Sequence, residues 1–364
     1  MNRRTFLTGL GAGALCLGAP GCRHTPSPAP SRTQPIRGSW ISVWWDDRRH
    51  VYWNDAALKF SARQWQLAVQ DMSELGFEYL VLLAVAKGGK AFYQTPLLPK
   101  LELACDDPIE AMLTAADRCR VKFFISSDWF GDWDEHALLA PERMATRFQM
   151  MEELVRLYGH HKSFYGWYWP NEAHITPYFY EPFIQHVNAC SAEARRLMPK
   201  AKTLTAPYGT KNARADDTFV AQLERLDVDI IAYQDEVGCL RMTPDQSRAA
   251  YEKLRLAHNR VPQRALWADV ETFAWEGEPN RQTSPLIPAP FARVQAQLEA
   301  VSPFVDKILI YQYQGLMNRQ NTRAFAGHPD SVRLCEDYVA WLRQNHPALL
   351  RGSRALATPR VASR

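Results

Sequence analysis

Between residues 37 and 345, short apolar runs with strand character alternate with amphipathic helical runs eight times. That rhythm constrains the fold more than any other feature of the 364 residues. The strand-like runs are 37–45, 77–86, 121–127, 164–169, 202–207, 228–233, 264–270 and 307–313. The helical runs between and after them are 61–75, 108–117, 142–158, 182–197, 217–226, 244–258, 289–301 and 331–345. Several carry their own boundary signals, such as Ser61 before the first helix, Gly76 after it, and Pro108 in the first turn of the second. Eight strand–helix units in about 300 residues predict a single parallel (β/α)8 TIM barrel over 37–346, since such barrels need roughly 250 residues or more. A doubly wound sheet fits less well, because no Gly-rich phosphate loop follows the first strand, which runs instead into Trp44-Trp45-Asp46-Asp47.

The ends of the chain read differently. Residues 1–22 have the features of a targeting segment: Arg3-Arg4-Thr5-Phe6-Leu7 matches a twin-arginine signal, and the apolar stretch 10–19 is too short to span a bilayer, which takes about 20 residues. Ala19-Pro20-Gly21-Cys22 resembles a lipoprotein cleavage box with Ala19 where Leu is usual, so Cys22 is a candidate for a lipid that would attach the protein to a membrane. Residues 23–36 are rich in Pro and Ser and read as an extended tether, and 347–364 as a flexible tail. The expected location is the periplasm or cell envelope.

The composition excludes some function classes. A net charge of +4, part of it in the leader, gives no basic stripe for nucleic acid. Apart from Cys16 and Cys22 in the leader, the other five Cys form no C-x-x-C pair and have no nearby His at ligand spacing, so neither a zinc site nor a disulfide framework is indicated, and no metal or other cofactor is expected. His160-His161 and His174 read as loop or surface residues. A monomer is expected.

In a (β/α)8 barrel, chemistry sits at the C-terminal ends of the strands. Strand one brings Trp44, Trp45 and Asp46 there, strand two Lys87, strand three Asp128 and Trp129, and strand four Trp169, Asn171 and Glu172. Strand five ends in Tyr208, and strand six in Tyr233-Gln234-Asp235-Glu236. Strand seven carries Trp267 and ends in Asp269-Val270-Glu271, and strand eight in Tyr311-Gln312-Tyr313. Indole and phenol faces stack on the C–H faces of sugars, while amides and carboxylates bond to hydroxyls, so the list suits a carbohydrate substrate. Glu172 follows the aromatic run 163–169 and Pro170, which ends regular strand pairing, and a carboxyl at such an edge is partly desolvated and disposed to general acid work.

Three segments, Gly166-Trp-Tyr-Trp-Pro-Asn-Glu172, Asp229-Ile-Ile-Ala-Tyr-Gln-Asp-Glu-Val-Gly238 and Leu266-Trp-Ala-Asp-Val-Glu-Thr-Phe273, carry a resemblance to the clan A glycoside hydrolases. More narrowly, over 37–345 the chain resembles the bacterial family called domain of unknown function 4434, a barrel relative of those enzymes. The resemblance implies Glu172 as acid/base after strand four and Glu271 as nucleophile after strand seven, in a retaining mechanism. Asp235 would be the substitute base in an inverting one. It also implies that Asn171 binds a sugar hydroxyl and that Tyr233 or Gln234 orients the second carboxylate. Glu236 departs from the pattern, standing where a small residue is expected. The competing reading is a non-catalytic saccharide-binding barrel of the cell envelope.

Overall fold

The computed structural model describes residues 33–44, 52, 54–127, 138–170, 172–279 and 284–353. The leader, most of the tether, and the candidates Trp45, Asp46, Asp128, Trp129 and Asn171 lie outside the described residues.

The strands are β1 (Gly38–Ile41), β2 (Tyr79–Leu82), β3 (Lys122–Ser126), β4 (Phe164–Trp169), β5 (Lys202–Thr205), β6 (Ile230–Gln234), β7 (Ala265–Glu271) and β8 (Lys307–Tyr311). Each pairs in parallel with its neighbour in sequence, and β1 closes on β8 with Gly38 opposite Leu309 and Ser39 opposite Ile310. The helices α1 (Ala62–Glu74), α2 (Pro108–Cys119), α3 (Pro141–Tyr158), α4 (Glu181–Leu197), α5 (Asp217–Arg225), α6 (Pro244–His258), α7 (Phe291–Val301) and α8 (Ser331–Asn345) each follow the strand of the same number. This is the expected TIM barrel.

Local chemistry sets the helix boundaries. Ser61 and Thr243 begin α1 and α6 with reciprocal capping boxes to Gln64 and Gln246, and the Asp107 carboxylate caps α2 ahead of Pro108. Helix α7 starts two residues later than the pattern suggests, because Pro290 serves as its extended N-cap.

Side-chain alternation along the strands builds two cores. One parity, including Trp40, Val81, Phe124, Tyr168, Ile230, Trp267 and Leu309, fills the barrel. The other, including Ile41, Leu82, Ile125, Trp167, Trp169, Tyr233, Val270 and Ile310, packs under the helices. Burying each large apolar side chain contributes about 1.5–3 kcal/mol. Gly166 has the inward parity on β4, where a Cβ would stand 2.2 Å from the Lys202 carbonyl oxygen and 2.8 Å from the Phe124 ring. The close approach of the Lys202 backbone carbonyl therefore requires glycine there.

Several boundaries differ from expectation. The first strand stops at Ile41, since the next backbone N–H, from Ser42, donates to Gln314 Oε1 at 3.0 Å. The second stops at Leu82, and Ala86–Lys87 instead forms a small hairpin with Lys90–Ala91. The eighth ends at Tyr311. Residues 33–36 are bound to the barrel, with Gln34 donating to Ser302 and Val305 and Ile36 N–H to the Tyr338 hydroxyl at 2.9 Å. Beyond 346 the chain forms a further helix, Pro347–Ser353, whose Leu349 lies beside Gly76.

Candidate active site

A cavity of about 160 Å³ opens at the C-terminal end of the barrel. Its polar groups are Glu172 just past β4, Gln234 at the end of β6, Asp269 and Glu271 on β7, and Tyr311 at the end of β8. Trp40 and Tyr168 form part of the apolar lining, their rings edge to face at 5.8 Å. The antiparallel hairpin Phe273–Trp275 with Leu286–Pro288 supplies a further wall through Phe273, Trp275 and Leu286.

Strand parity explains which side chains reach the cavity. On β7, Trp267, Asp269 and Glu271 share the inward parity, so the last two face the mouth while Trp267 packs deeper, 4.8 Å from Tyr79. On β6, Gln234 faces inward, and Tyr233 and Asp235 face out toward the helices.

Glu271 is held from several sides. Its Oε2 accepts the Cys239 N–H at 2.7 Å, and its backbone carbonyl accepts from Arg293 at 2.9 Å and Gln297 at 3.0 Å. Gly238 packs against it so closely that a Cβ there would stand 2.7 Å from Glu271 Cβ. Burial, and then the nearby Asp235 charge, push the Glu271 carboxyl upward. Glu172 is raised to about 7, mainly by burial; a hydrogen bond from Gln234 and the charges of Lys87 and Arg241 act in the opposite sense. Asp269 is pushed well above the usual carboxylate range by burial and by Glu271, Asp235 and Glu172.

Four residues read as candidates, Glu172, Glu271, Gln234 and Tyr311, meet in this cavity, and Lys87 acts on Glu172 through its charge. Others are placed elsewhere. Asp235 is fully buried behind β7, accepting from Gln297 at 2.7 Å and from the backbone N–H groups of Glu271 and Val237, and does not line the cavity. Trp169 lies under the helices, stacked on Trp167, with its indole N–H donating to Ser191. Tyr233 bonds to buried His258, and Tyr313 packs against Phe77 with its hydroxyl accepting from Arg319 N–H. Trp267 is a filler of the barrel interior. These are corrections to the expected substrate contacts, each following from outward parity or from depth in the barrel.

Glu236 is also structural. Its carboxylate accepts the N–H groups of Gly209 and Lys211 at 3.0 and 3.2 Å and pairs with Arg241 at 3.4 Å, tying two loops together. Tyr208 stacks on His174 at 4.7 Å and lies under the Arg241 guanidinium, outside the cavity lining. Trp44 packs beside Gly88. Asp269 was named only as a residue ending its strand, and Trp40, Tyr168 and the Phe273–Trp275 hairpin were missed as site residues. Inward parity flags the first three, whereas no local pattern marked the hairpin.

His161 is buried rather than on a surface loop, with its ring nitrogens 2.7 Å from Asp117 and 2.9 Å from Glu110. Glu110, His160 and His161 form the one group among the described residues with metal-ligand spacing. It precedes β4, at the opposite end of the barrel from the cavity, and both His161 nitrogens already face carboxylates.

The family described as Domain of unknown function (DUF4434) matches residues 36–323. No curated protein matches the chain in sequence. Among solved structures, a provisionally assigned α-L-fucosidase from Bacteroides thetaiotaomicron is similar at 16% identity and a TM-score of 0.67, covering 91% of this chain and 99% of that one. A β-galactosidase from the psychrophilic Marinomonas ef1 is 11% identical with a TM-score of 0.51, over 87% of this chain and 62% of that one. A GH2 β-galacturonidase from Eisenbergiella tayi is 14% identical with a TM-score of 0.52, over 85% and 52%. At these identities the likeness is one of barrel fold.

Proposed function

The chain belongs to the DUF4434 family, and from that premise we propose that it is a glycoside hydrolase acting on a poly- or oligosaccharide with Glu172 and Glu271 as its carboxyl pair. The observation that carries the reading is that two carboxyl groups from β4 and β7 line one aromatic-walled cavity at the mouth of the barrel. Glycosidic cleavage needs one acid to protonate the leaving oxygen and one carboxylate to attack the anomeric carbon or activate water.

Glu172, with a pKa raised to about 7, retains a proton near neutrality and is suited to serve as acid and then base. Glu271, held by the Cys239 N–H on the last residue of β7, is the proposed nucleophile of a retaining mechanism. Positive charge developing on the sugar ring would offset the cost of ionising it in this buried site. The glycosidase barrels with the same fold support the reading by analogy.

The test is hydrolysis of a panel of polysaccharides and aryl glycosides by the mature protein, with Glu172→Gln and Glu271→Gln as controls. Release of reducing sugar that both substitutions abolish is the expected result. Binding without turnover by the wild-type protein would sink the enzyme reading in favour of a saccharide-binding barrel.

A further inference from the structure

Asp269, like Glu271, is only 4% exposed, and its Oδ1 is buried with no hydrogen-bond partner among the described residues. It lies on the inward parity of β7, two residues before Glu271, and lines the same cavity as Glu172 and Glu271. The titratable groups around it are Glu172 and Tyr168 on the β4 side, Asp235 and Tyr251 from β6 and α6, Glu271 on β7 and Tyr311 on β8. None is a cation. A buried carboxyl without donors is costly, and proteins normally pair such groups or replace them with apolar ones. One left bare against a cavity is arranged for a ligand.

We propose that Asp269 is the hydroxyl-recognition residue of the inner sugar subsite, and that this subsite takes a neutral pyranose rather than a uronic acid. The inference rests on the glycosidase reading and names the substrate class within it. The enclosed space of about 160 Å³ is below the roughly 300–1,000 Å³ of ordinary ligand pockets, so it suits one ring and not a stretch of chain. Trp40, Phe273 and Trp275 give the lining aromatic surface for the ring's C–H groups to pack on. The hydroxyls then find acceptors in Asp269 and an amide in Gln234. An anionic sugar would bury a further charge in a cavity whose described lining holds three carboxyls and no cation to offset it. The cations near Glu172, Lys87 and Arg241, are absent from the cavity lining.

The experiment has two arms on the mature protein. In the first, the melting temperature of Asp269→Asn is compared with wild type at pH 5 and pH 9. The carboxyl is raised in the folded state, so the fold loses stability as pH rises from the unfolded value toward the folded one; the amide removes that loss. Asp269→Asn should therefore melt at or above the wild-type temperature, with its advantage larger at pH 9. A large fall in melting temperature at both pH values would show a structural partner and overturn the proposal. In the second arm, the turnover-deficient Glu172→Gln is titrated by calorimetry with p-nitrophenyl glycosides of xylose, glucose, galactose, fucose and glucuronic acid. At least one neutral glycoside should bind, adding Asp269→Asn should weaken it about 100-fold, and the glucuronide should not bind. Binding that survives Asp269→Asn, or a preference for the glucuronide, overturns the proposal alone. No binding of any glycoside overturns the glycosidase reading and the proposal with it.

Discussion

Asp235 Oδ1 accepts the backbone N–H of Glu271 at 3.1 Å, so one carboxylate that never reaches the cavity fixes the strand end from which the other projects. Gln297 strengthens the link by donating both to Asp235 Oδ2 and to the Glu271 carbonyl. Asp235 thus acts on Glu271 in two ways, positioning its backbone and raising its carboxyl through like charge. Replacing Asp235 with Asn keeps the acceptor for the Glu271 N–H and removes the charge. Glu271 then ionises more easily, so the acid limb of the pH profile of kcat/KM should move to lower pH. A purely structural role for Asp235 predicts a fall in melting temperature with an unmoved limb, and that pair of results would falsify the assignment.

The two cavity glutamates should fail differently. Glu172→Gln cannot cycle a proton, so it should lose about 10²–10⁴-fold on natural glycosides while keeping more activity on aryl glycosides whose leaving group needs no proton. Glu271→Gln should lose both substrate types. Azide should rescue Glu172→Ala with the anomer retained and Glu271→Ala with it inverted, read by NMR of the glycosyl azide. Near wild-type turnover by Glu271→Gln would remove β7 from the chemistry.

The indoles of Trp169 and Trp275 should separate by effect. Trp169 is fully buried under the helices, so Trp169→Ala should destabilise by about 3–5 kcal/mol. Trp275 lies on the hairpin wall, partly buried, with its N–H donating to the Gly238 carbonyl at 3.2 Å. Trp275→Ala should raise KM with a much smaller change in melting temperature. Equal thermal losses in the two variants would place Trp275 in the core instead of the subsite.

The fold was legible because eight alternations leave little room for another architecture, and all eight strand–helix pairs fall within a few residues of their expected places. The site was legible only as far as strand ends could be listed. Listing ignores parity: Tyr233 and Gln234 are neighbours, yet the first packs under α6 and the second faces the cavity. Applied to β7, the same rule places Asp269 beside Glu271. The Phe273–Trp275 wall depends on a hairpin returning at Leu286–Pro288, a pairing set by tertiary packing that no local pattern in the intervening loop encodes.

Export is a proposal that rests on Arg3-Arg4 and the short apolar run after them. Changing both arginines to Lys should trap the precursor in the cytoplasm, seen by fractionation. Labelling with palmitate, lost in Cys22→Ala, would support a lipid anchor. Unchanged export of the double Lys variant would refute the twin-arginine assignment.

His161 gives the fold a pH signature separate from the active site. Burial opposes charge on the ring, but its bonds to Glu110 and Asp117 outweigh that and raise its pKa. With a carboxylate at each nitrogen, both nitrogens act as donors in the imidazolium form, and Asp117, despite its own burial, is lowered by His161 and by Ser163. A raised histidine contributes stability that is fully present below its unfolded value near 6.5 and is lost as pH rises through the folded value. The lowered Asp117 contributes in the other direction, with stability present above its unfolded value of 3.8 and lost as pH falls through the folded one. The pair therefore works best between those limits. His161→Gln should lower the melting temperature most at about pH 5–6 and progressively less toward pH 9, while leaving the pH profile of turnover in place. A loss equal at all these pH values would mean that the ring contributes by packing and not by charge.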